Sequence, residues 1–316
     1  MSTLETTGKK TNKELKRSRN IFKRILLTLI LTMVVTGVWV LLFPSDIHKP
    51  YPAPDEENAA GREAGRTILF TGFDGLAHVA EEITLKAKLE SRYLKDDIAN
   101  ATVACYVADQ YLGEAQTDEE GFAVWRFMPQ KTGNFTVVYQ LPDDSKYKPK
   151  RAEGLLAVRT EDKPVLISDL DNTIIDISNY QFLFHNNESI PPVPGAPEIL
   201  KELSRQYDII YLTARDDLYV NVTKNWLDMY GLPRAPLFVC DLSEEPADQG
   251  EYKKEVLRQL KAKWPNITIG VGDKVHDAQA YLANGMAAYI LGEHDELPEN
   301  TITVKSWKEI QEKLKR

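Results

Sequence analysis

V-L-I-S-D-L-D-N-T-I-I-D, from Val165 to Asp176, is the stretch that decides how the chain is read. Pro164, Val165, Leu166 and Ile167 form an apolar run, bounded before by Glu161, Asp162 and Lys163 and after by Asp169 and Asp171. So short and apolar a run predicts a strand buried on both faces and ending at a polar rim. Ligands of open α/β sheets sit outside the carboxyl ends of such strands, which places Asp169 and Asp171 where chemistry is expected. Two carboxylates two residues apart repel unless a cation or a shared proton compensates them. Taken alone, the pattern fits a solvated strand-to-loop turn equally well.

Three later stretches break that tie. Ile209-Ile-Tyr-Leu-Thr-Ala-Arg215 reads as an apolar strand ending on Thr213. Glu251-Tyr-Lys-Lys-Glu255 opens a helix carrying Lys253 and Lys254. Thr268-Ile-Gly-Val-Gly-Asp-Lys-Val-His-Asp277 reads as a strand ending on Asp273, with Asp277 one helical turn on. Between them the periodicity predicts helices over 196–204, 218–230, 252–264, 276–284 and from Ser306, and further strands over 237–240, 267–271 and 288–291. Strands alternating with helices give a parallel, doubly wound sheet, with Asp169, Thr213 and Asp273 at three strand ends on one rim. Singly, Thr213, Asp273 and Asp277 also read as helix caps and Lys253 as a solvated helix face. Their joint order argues against coincidence.

Asp169-Leu-Asp-Asn-Thr173, then Thr213, then Lys253 or Lys254, then Gly272-Asp273 to Asp277, is similar to the four ordered motifs of the haloacid dehalogenase-like (HAD) superfamily of phosphatases. The resemblance covers residues 163–316. Thr213-Ala-Arg215 and Asp277-Ala-Gln-Ala-Tyr281 resemble the lipin-type lipid-phosphate group, and secreted acid phosphatases share some of the same features. The resemblance implies a Rossmann-like fold and an aspartyl-phosphate mechanism. Asp169 would be the nucleophile and Asp171 the acid and base. Thr213 would hydrogen-bond the phosphoryl group. Lys253, which follows an aromatic residue, would neutralise charge, with Lys254 as runner-up. Mg²⁺ would be held by Asp169, the backbone carbonyl of Asp171 and Asp273, with Asp277 as a further ligand or a support. His276 reads as a bystander.

The amino terminus has a different composition. Lys9, Lys10, Lys13, Lys16, Arg17, Arg19, Lys23 and Arg24 precede the uncharged run Ile25–Phe43. At about 1.5 Å per residue that run spans close to a 30 Å hydrocarbon core, which predicts a transmembrane anchor over 25–43 behind a basic cytoplasmic tail over 1–24. The run is long for a signal peptide, and no small-residue cleavage site closely follows it. The carboxyl-terminal remainder is thus expected outside the cytoplasm. Pro44, Pro50, Pro52 and Pro54 with Asp55, Glu56 and Glu57 mark an extended acidic linker over 44–62. The formal net charge of −8 includes the basic tail, so the rest is more acidic still and nucleic acid is an unfavourable partner.

Residues 63–160 read as all-β, with strands near 83–89, 101–107, 122–127 and 135–139 and turns at Asp118–Gly121 and Lys131–Gly133. That spacing predicts a sandwich of about seven strands. Thr117-Asp-Glu-Glu-Gly-Phe-Ala123 resembles a hairpin of bacterial immunoglobulin-like domains. Trp125 and Phe127 share a parity and are assigned to the core. With no catalytic cluster here, this half reads as a spacer or docking module. Cys105 and Cys240 lie in apolar strand-like runs and read as buried thiols, although spacing alone leaves a bridge open.

The combined expectation is a membrane-anchored, Mg²⁺-dependent phosphomonoesterase over residues 161–316, with phosphatidate or another lipid phosphate as the substrate class. The short stretches at the two insertion points, 174–194 and 241–251, imply an open site. Tyr180, Phe182 and Phe184 in the first either brush the substrate or pack the flap down. An acid-phosphatase-like hydrolase of soluble nucleotides or sugar phosphates and a non-catalytic phospholipid-sensing module are the alternatives. The presence of both Asp169 and Asp171 argues against the latter.

Overall fold

The first strands form two sheets. β1 (Arg66–Gly72), β3 (Ile83–Ser91), β6 (Phe122–Phe127) and β8 (Tyr147–Lys148) lie in the order β6-β3-β1-β8. β2 (Gly75–His78), β4 (Thr102–Val107), β5 (Gln110–Gln116), β7 (Gly133–Gln140) and β9 (Arg151–Arg159) lie in the order β2-β9-β7-β4-β5. The computed structural model describes residues 66–92, 95–176, 190–240 and 249–315. Period-two alternation sends one face of each strand inward: Val103, Cys105 and Val107 of β4 are buried and pack with Phe70, Leu85, Leu89, Tyr139 and Leu156. Full burial of a large apolar side chain is worth about 1.5–3 kcal/mol, so this cluster is the main source of cohesion. Trp125 is buried in it, donates its indole N–H to the Gly113 carbonyl at 3.1 Å and tilts against Tyr139; Phe127 packs on the edge.

The hairpin expectation at Thr117–Ala123 is corrected. β5 and β6 belong to different sheets, so the Asp118–Gly121 turn carries the chain between layers. Asp118 closes it by accepting from the Phe122 amide at 2.7 Å, and Gly121 adopts φ 77. A Cβ on Gly121 would lie 2.5 Å from the Leu89 carbonyl oxygen, so the turn is tucked under β3. A D-x-x-G sequence specifies the reversal but not the sheet that the next strand joins. The strand inventory also exceeds the expected seven, because β8 is only two residues long and β9, after exposed Arg151 and Glu153, becomes a buried run from Gly154 to Val158 without alternation.

The second half is a six-stranded sheet with every neighbour parallel: β10 (Val165–Ser168), β11 (Asp208–Asp216), β12 (Leu237–Cys240), β13 (Ile267–Gly272), β14 (Ala287–Leu291) and β15 (Ile302–Val304), in the order β12-β11-β10-β13-β14-β15. α1 (Ala196–Leu203), α2 (Val220–Met229) and α5 (Trp307–Leu314) cover one face, where Leu200, Trp226, Trp307 and Ile310 meet Leu166, Tyr211 and Val271. α3 (Gln249–Lys263) and α4 (Val275–Ala283) cover the other, where Leu257, Ala278 and Tyr281 meet Ile167, Leu212 and Ile290. The chain leaves β10 for β11 and β12 on one side, then returns to β13 on the other side. The topological switch point therefore falls between β10 and β13. Two expectations are corrected here: β15 adds a sixth strand, and β11 runs past Thr213 to Asp216.

All described residues belong to a single compact unit, Glu63–Arg316. The β-sandwich grips the parallel sheet through specific bonds. Asp74 accepts from Lys224 Nζ at 2.6 Å and from the Leu237 amide at 2.9 Å, Arg159 Nε donates to Asp208 at 3.1 Å, and His78 stacks on Trp264. Cys105 and Cys240 are buried and unbridged, and burial pushes the Cys105 thiol up to about 12. The basic tail, the run Ile25–Phe43, the linker over 44–62, the aromatics Tyr180, Phe182 and Phe184, and most of the second insertion lie outside the described residues. Among the described residues no helix is long and apolar enough to cross a membrane.

Candidate active site

β10 stops at Ser168, and the next residues alternate in destination. Leu170 is buried in the core on the α1 face, while Asp169 and Asp171 point away from it. The amides of Thr173, Ile174 and Ile175 all donate to the Leu170 carbonyl at 2.8–3.2 Å, and Asn172 takes φ 55. This tight turn holds the two carboxylates at the rim. Behind it the Trp307 indole donates to the Thr173 carbonyl at 2.7 Å, tying the turn to α5.

Lys253 is the centre of the cluster. It projects from α3 with its side chain 3% exposed, and Nζ donates to Asp169 Oδ1 and Asp277 Oδ1 at 2.6 Å each. Lys254, one residue on, faces solvent and pairs with Glu251 at 3.2 Å. The choice between the two lysines thus falls to Lys253. Burial lowers the Lys253 pKa, but Asp169 and Asp277 outweigh it and hold the ammonium above its usual range. Asp277 spends its other oxygen on the backbone amides of Asp273 and Lys274, both at 3.2 Å. Gly272 makes room for this: a Cβ there would lie 2.6 Å from the Asp277 carboxylate. Gly270 does the same for Tyr281, whose hydroxyl donates to the Val271 carbonyl at 3.0 Å.

Asp171 has a separate partner. Arg215 near the end of β11 donates from Nε to Oδ2 at 2.9 Å and from Nη2 to Oδ1 at 2.5 Å, and both side chains are buried. Nη1 of the same guanidinium donates to Thr223 Oγ1 of α2 at 3.1 Å. Nε also reaches Oδ1 at 3.2 Å, so the fork fixes the carboxylate plane and leaves Oδ2 the oxygen with an acceptor position to spare. Thr213 is buried two residues earlier, and its hydroxyl accepts from the Arg215 amide at 3.2 Å. His276 stands half-buried with Nε2 3.8 Å from Asp277 Oδ1.

Within this set, Asp169, Asp171, Asp273 and Asp277 outnumber Lys253 and Arg215 by two charges. The excess shows in the acids. Burial, partly offset by Lys253, pushes Asp169 up to about 7, and burial with the neighbouring Asp277 pushes Asp273 up to about 6. Oxygens of Asp169, Asp273 and Asp277 lie within 4.8 Å of one another, and Asp273 Oδ1 is buried without a hydrogen-bond partner. A divalent cation that prefers hard oxygen donors fits both the charge deficit and the orphaned oxygen.

Residues 166–291 match a family model described as PITM 1-3, LNS2 domain. The match runs from β10 to the last residue of β14, so it encloses every site residue above. No curated protein matches the sequence. Among solved structures the chain is similar to the putative HAD-hydrolase YfnB from Bacillus subtilis, described as bound to magnesium, at 14% identity over 49% of this chain and 99% of that one, TM-score 0.38. It is also similar to a HAD-superfamily hydrolase from Ehrlichia chaffeensis, at 15% identity over 48% of this chain and 96% of that one, TM-score 0.34. A putative membrane anchored protein from Corynebacterium diphtheriae is similar at 17% identity over 31% of this chain, TM-score 0.24; the chain spans 21% of that protein's length.

The LNS2-like region thus brings together Asp169, Lys253, Asp273 and Asp277, and sets Asp171 on a different cation. Arg215 had no assigned role in the sequence reading. Its signal was its place directly after a strand-end threonine, on a strand whose rim already carried the chemistry.

Proposed function

We propose that the chain is a Mg²⁺-dependent phosphomonoesterase working through a phosphorylated Asp169. One observation carries the reading: a buried lysine clasps Asp169 and Asp277 at the switch point of a parallel sheet, in a carboxylate set two positive charges short of balance. A phosphoryl group entering this rim meets a carboxylate, an ammonium and a metal site, the components that in-line phosphoryl transfer requires. The free oxygen of Asp169 attacks phosphorus while Lys253 holds the other. The proton that a monoanionic ester brings into the site passes through Asp171 to the leaving oxygen, and Asp171 then takes one from the water that cleaves the acyl phosphate. Thr213 hydrogen-bonds the transferring group. Asp169, Asp273 and the Asp171 backbone carbonyl would hold Mg²⁺, with Asp277 in support through its bonds to Lys253 and the backbone. Bound there, Mg²⁺ would supply charge neutralisation to the phosphoryl oxygens.

The finer parts of the proposal rest on sequence. Residues 25–43 anchor the chain in a cell membrane with the amino terminus in the cytoplasm, and residues 63–160, read as an immunoglobulin-like module, and 161–316 lie outside it. An anchored enzyme with short insertions at its rim is suited to a lipid phosphate such as phosphatidate. The test is phosphate release by the full chain in detergent micelles, with Mg²⁺ or with chelator, across lipid and soluble monoesters. Mg²⁺-dependent release, greatest with the lipid ester, is the expected result. A preference for nucleotides would replace the lipid reading, and no release from any ester would remove the phosphatase reading.

A further inference from the structure

Lys95 stands between β3 and β4 with φ 54, and its ammonium crosses from the β-sandwich to the parallel sheet. Nζ donates to Asp216 Oδ1 at 3.0 Å and Oδ2 at 3.3 Å, and to Asp217 Oδ1 at 3.1 Å. Asp216 ends β11 and accepts from the Leu218 amide at 2.9 Å, opening the 3-10 turn Asp217–Tyr219. The Asp217 side chain is 2% exposed, and its Oδ2 has no hydrogen-bond partner. Two adjacent carboxylates, one of them buried, keep this turn only while a cation compensates them. They follow Arg215 directly. A second attachment comes from α2. Asn221 donates to the Phe70 carbonyl at 3.4 Å, and Lys224 donates to Asp74 Oδ1 at 2.6 Å and to the Gly72 carbonyl at 3.1 Å. Thr223, between those two residues, is the one that accepts from Arg215.

We infer that the β-sandwich is part of the working site: through Lys95 and Lys224 it sets Arg215, and through Arg215 it orients Asp171. Lys95 touches no reacting atom and is a positioning residue. The catalytic consequence rests on the phosphatase reading, whereas the mechanical coupling rests on the contacts alone. The sandwich also touches the helix that carries Lys253, but at its carboxyl-terminal end, where His78 stacks on Trp264 and lies 3.3 Å from the Lys263 carbonyl. The contacts next to a site residue are those beside Arg215, so the inferred coupling is directed at proton transfer.

The experiment uses the full chain in detergent micelles and compares wild type, Lys95→Met and Lys95→Arg. The quantity is kcat/KM, which reports events up to leaving-group release, for an alkyl monoester and for p-nitrophenyl phosphate. A misplaced Asp171 penalises the poor leaving group, so Lys95→Met should lose about tenfold on the alkyl ester. It should change little on the aryl ester, and Lys95→Arg should recover most of the loss. Equal losses on both esters, or none on either, would overturn the inference. If Lys95→Met does not fold, Lys224→Met is read by the same criteria. If the wild-type protein hydrolyses neither ester, the phosphatase reading fails and hydrogen exchange decides the coupling. Amides of residues 213–219 should then lose protection in Lys95→Met, and unchanged protection would overturn it.

Discussion

Lys253 serves two carboxylates, whereas Arg215 serves one. The Lys253 cluster is short of positive charge and contains an oxygen with no partner; the Arg215–Asp171 pair is balanced and braced by Thr223. Both are buried on the same rim, so solvent does not account for the difference. An unbalanced buried cluster persists only where a further cation or a bound proton completes it. A balanced, braced pair has its geometry set in advance. On the proposed phosphatase reading, the contrast assigns binding and covalent chemistry to the Lys253 side and proton transfer to the Arg215 side.

The largest effect expected from breaking the contrast is on the balanced side. Asp171→Asn leaves the shape but removes the proposed proton donor and base, and loss of such help typically costs roughly 10²–10⁴-fold. Turnover of an alkyl monoester should fall by that order, while phosphorylation of the protein by an activated aryl phosphate should survive. If both esters lose equally, Asp171 is not the acid.

Next in size is a stability effect on the unbalanced side. Lys253→Met leaves Asp169 and Asp277 buried without their cation, and removing one partner of a buried pair costs about 3–5 kcal/mol. Urea unfolding should show that loss, with part of it restored by Mg²⁺. The neighbouring Lys254→Met should shift the midpoint hardly at all, because that side chain is half exposed on the helix surface. Equal losses for the two variants would mean that the helix faces the other way.

The smallest effect concerns protons. Without metal, burial holds Asp169 at about 7 and Asp273 at about 6, so both bind protons in the range where free carboxylates do not. Metal ligation needs the ionised forms, so protons compete with the cation. Apparent Mg²⁺ affinity should therefore rise up to about twentyfold from about pH 6 to about pH 8, with proton release in the lower part of that window. Calorimetry in two buffers of different ionisation enthalpy measures this. A flat affinity with no released proton would place the metal elsewhere.

The parallel sheet and most of the rim are legible in the sequence, because buried apolar strands give way abruptly to polar residues at the rim. Asp169 and Asp273 do follow buried strands directly, whereas Thr213 lies within β11. Lys253 and Lys254 were not separable by motif, since adjacent helical residues differ by about 100° and either fits. The helix carried the answer in its stripe: Lys253 is in register with Leu257, Leu260 and Trp264, which pack inward. Arg215 is not legible, because a strand read as ending on Thr213 leaves it in the connection beyond, whereas β11 continues to Asp216. β15 escaped because three residues after a turn give too little periodicity to read. Lys95 and Asp217 are polar residues in connections, and their pairing joins positions more than a hundred residues apart, which no local pattern encodes.

In the proposed mechanism Asp169 carries the phosphoryl group. The most direct measurement is a rapid acid quench of Asp171→Asn mixed with ³²P-labelled aryl phosphate and Mg²⁺, followed by peptide mapping. Acid-stable label is expected on the peptide containing Asp169, decaying slowly, and none when Asp169→Asn is added to the same chain. Label that persists in the double variant, or maps to another residue, would contradict it.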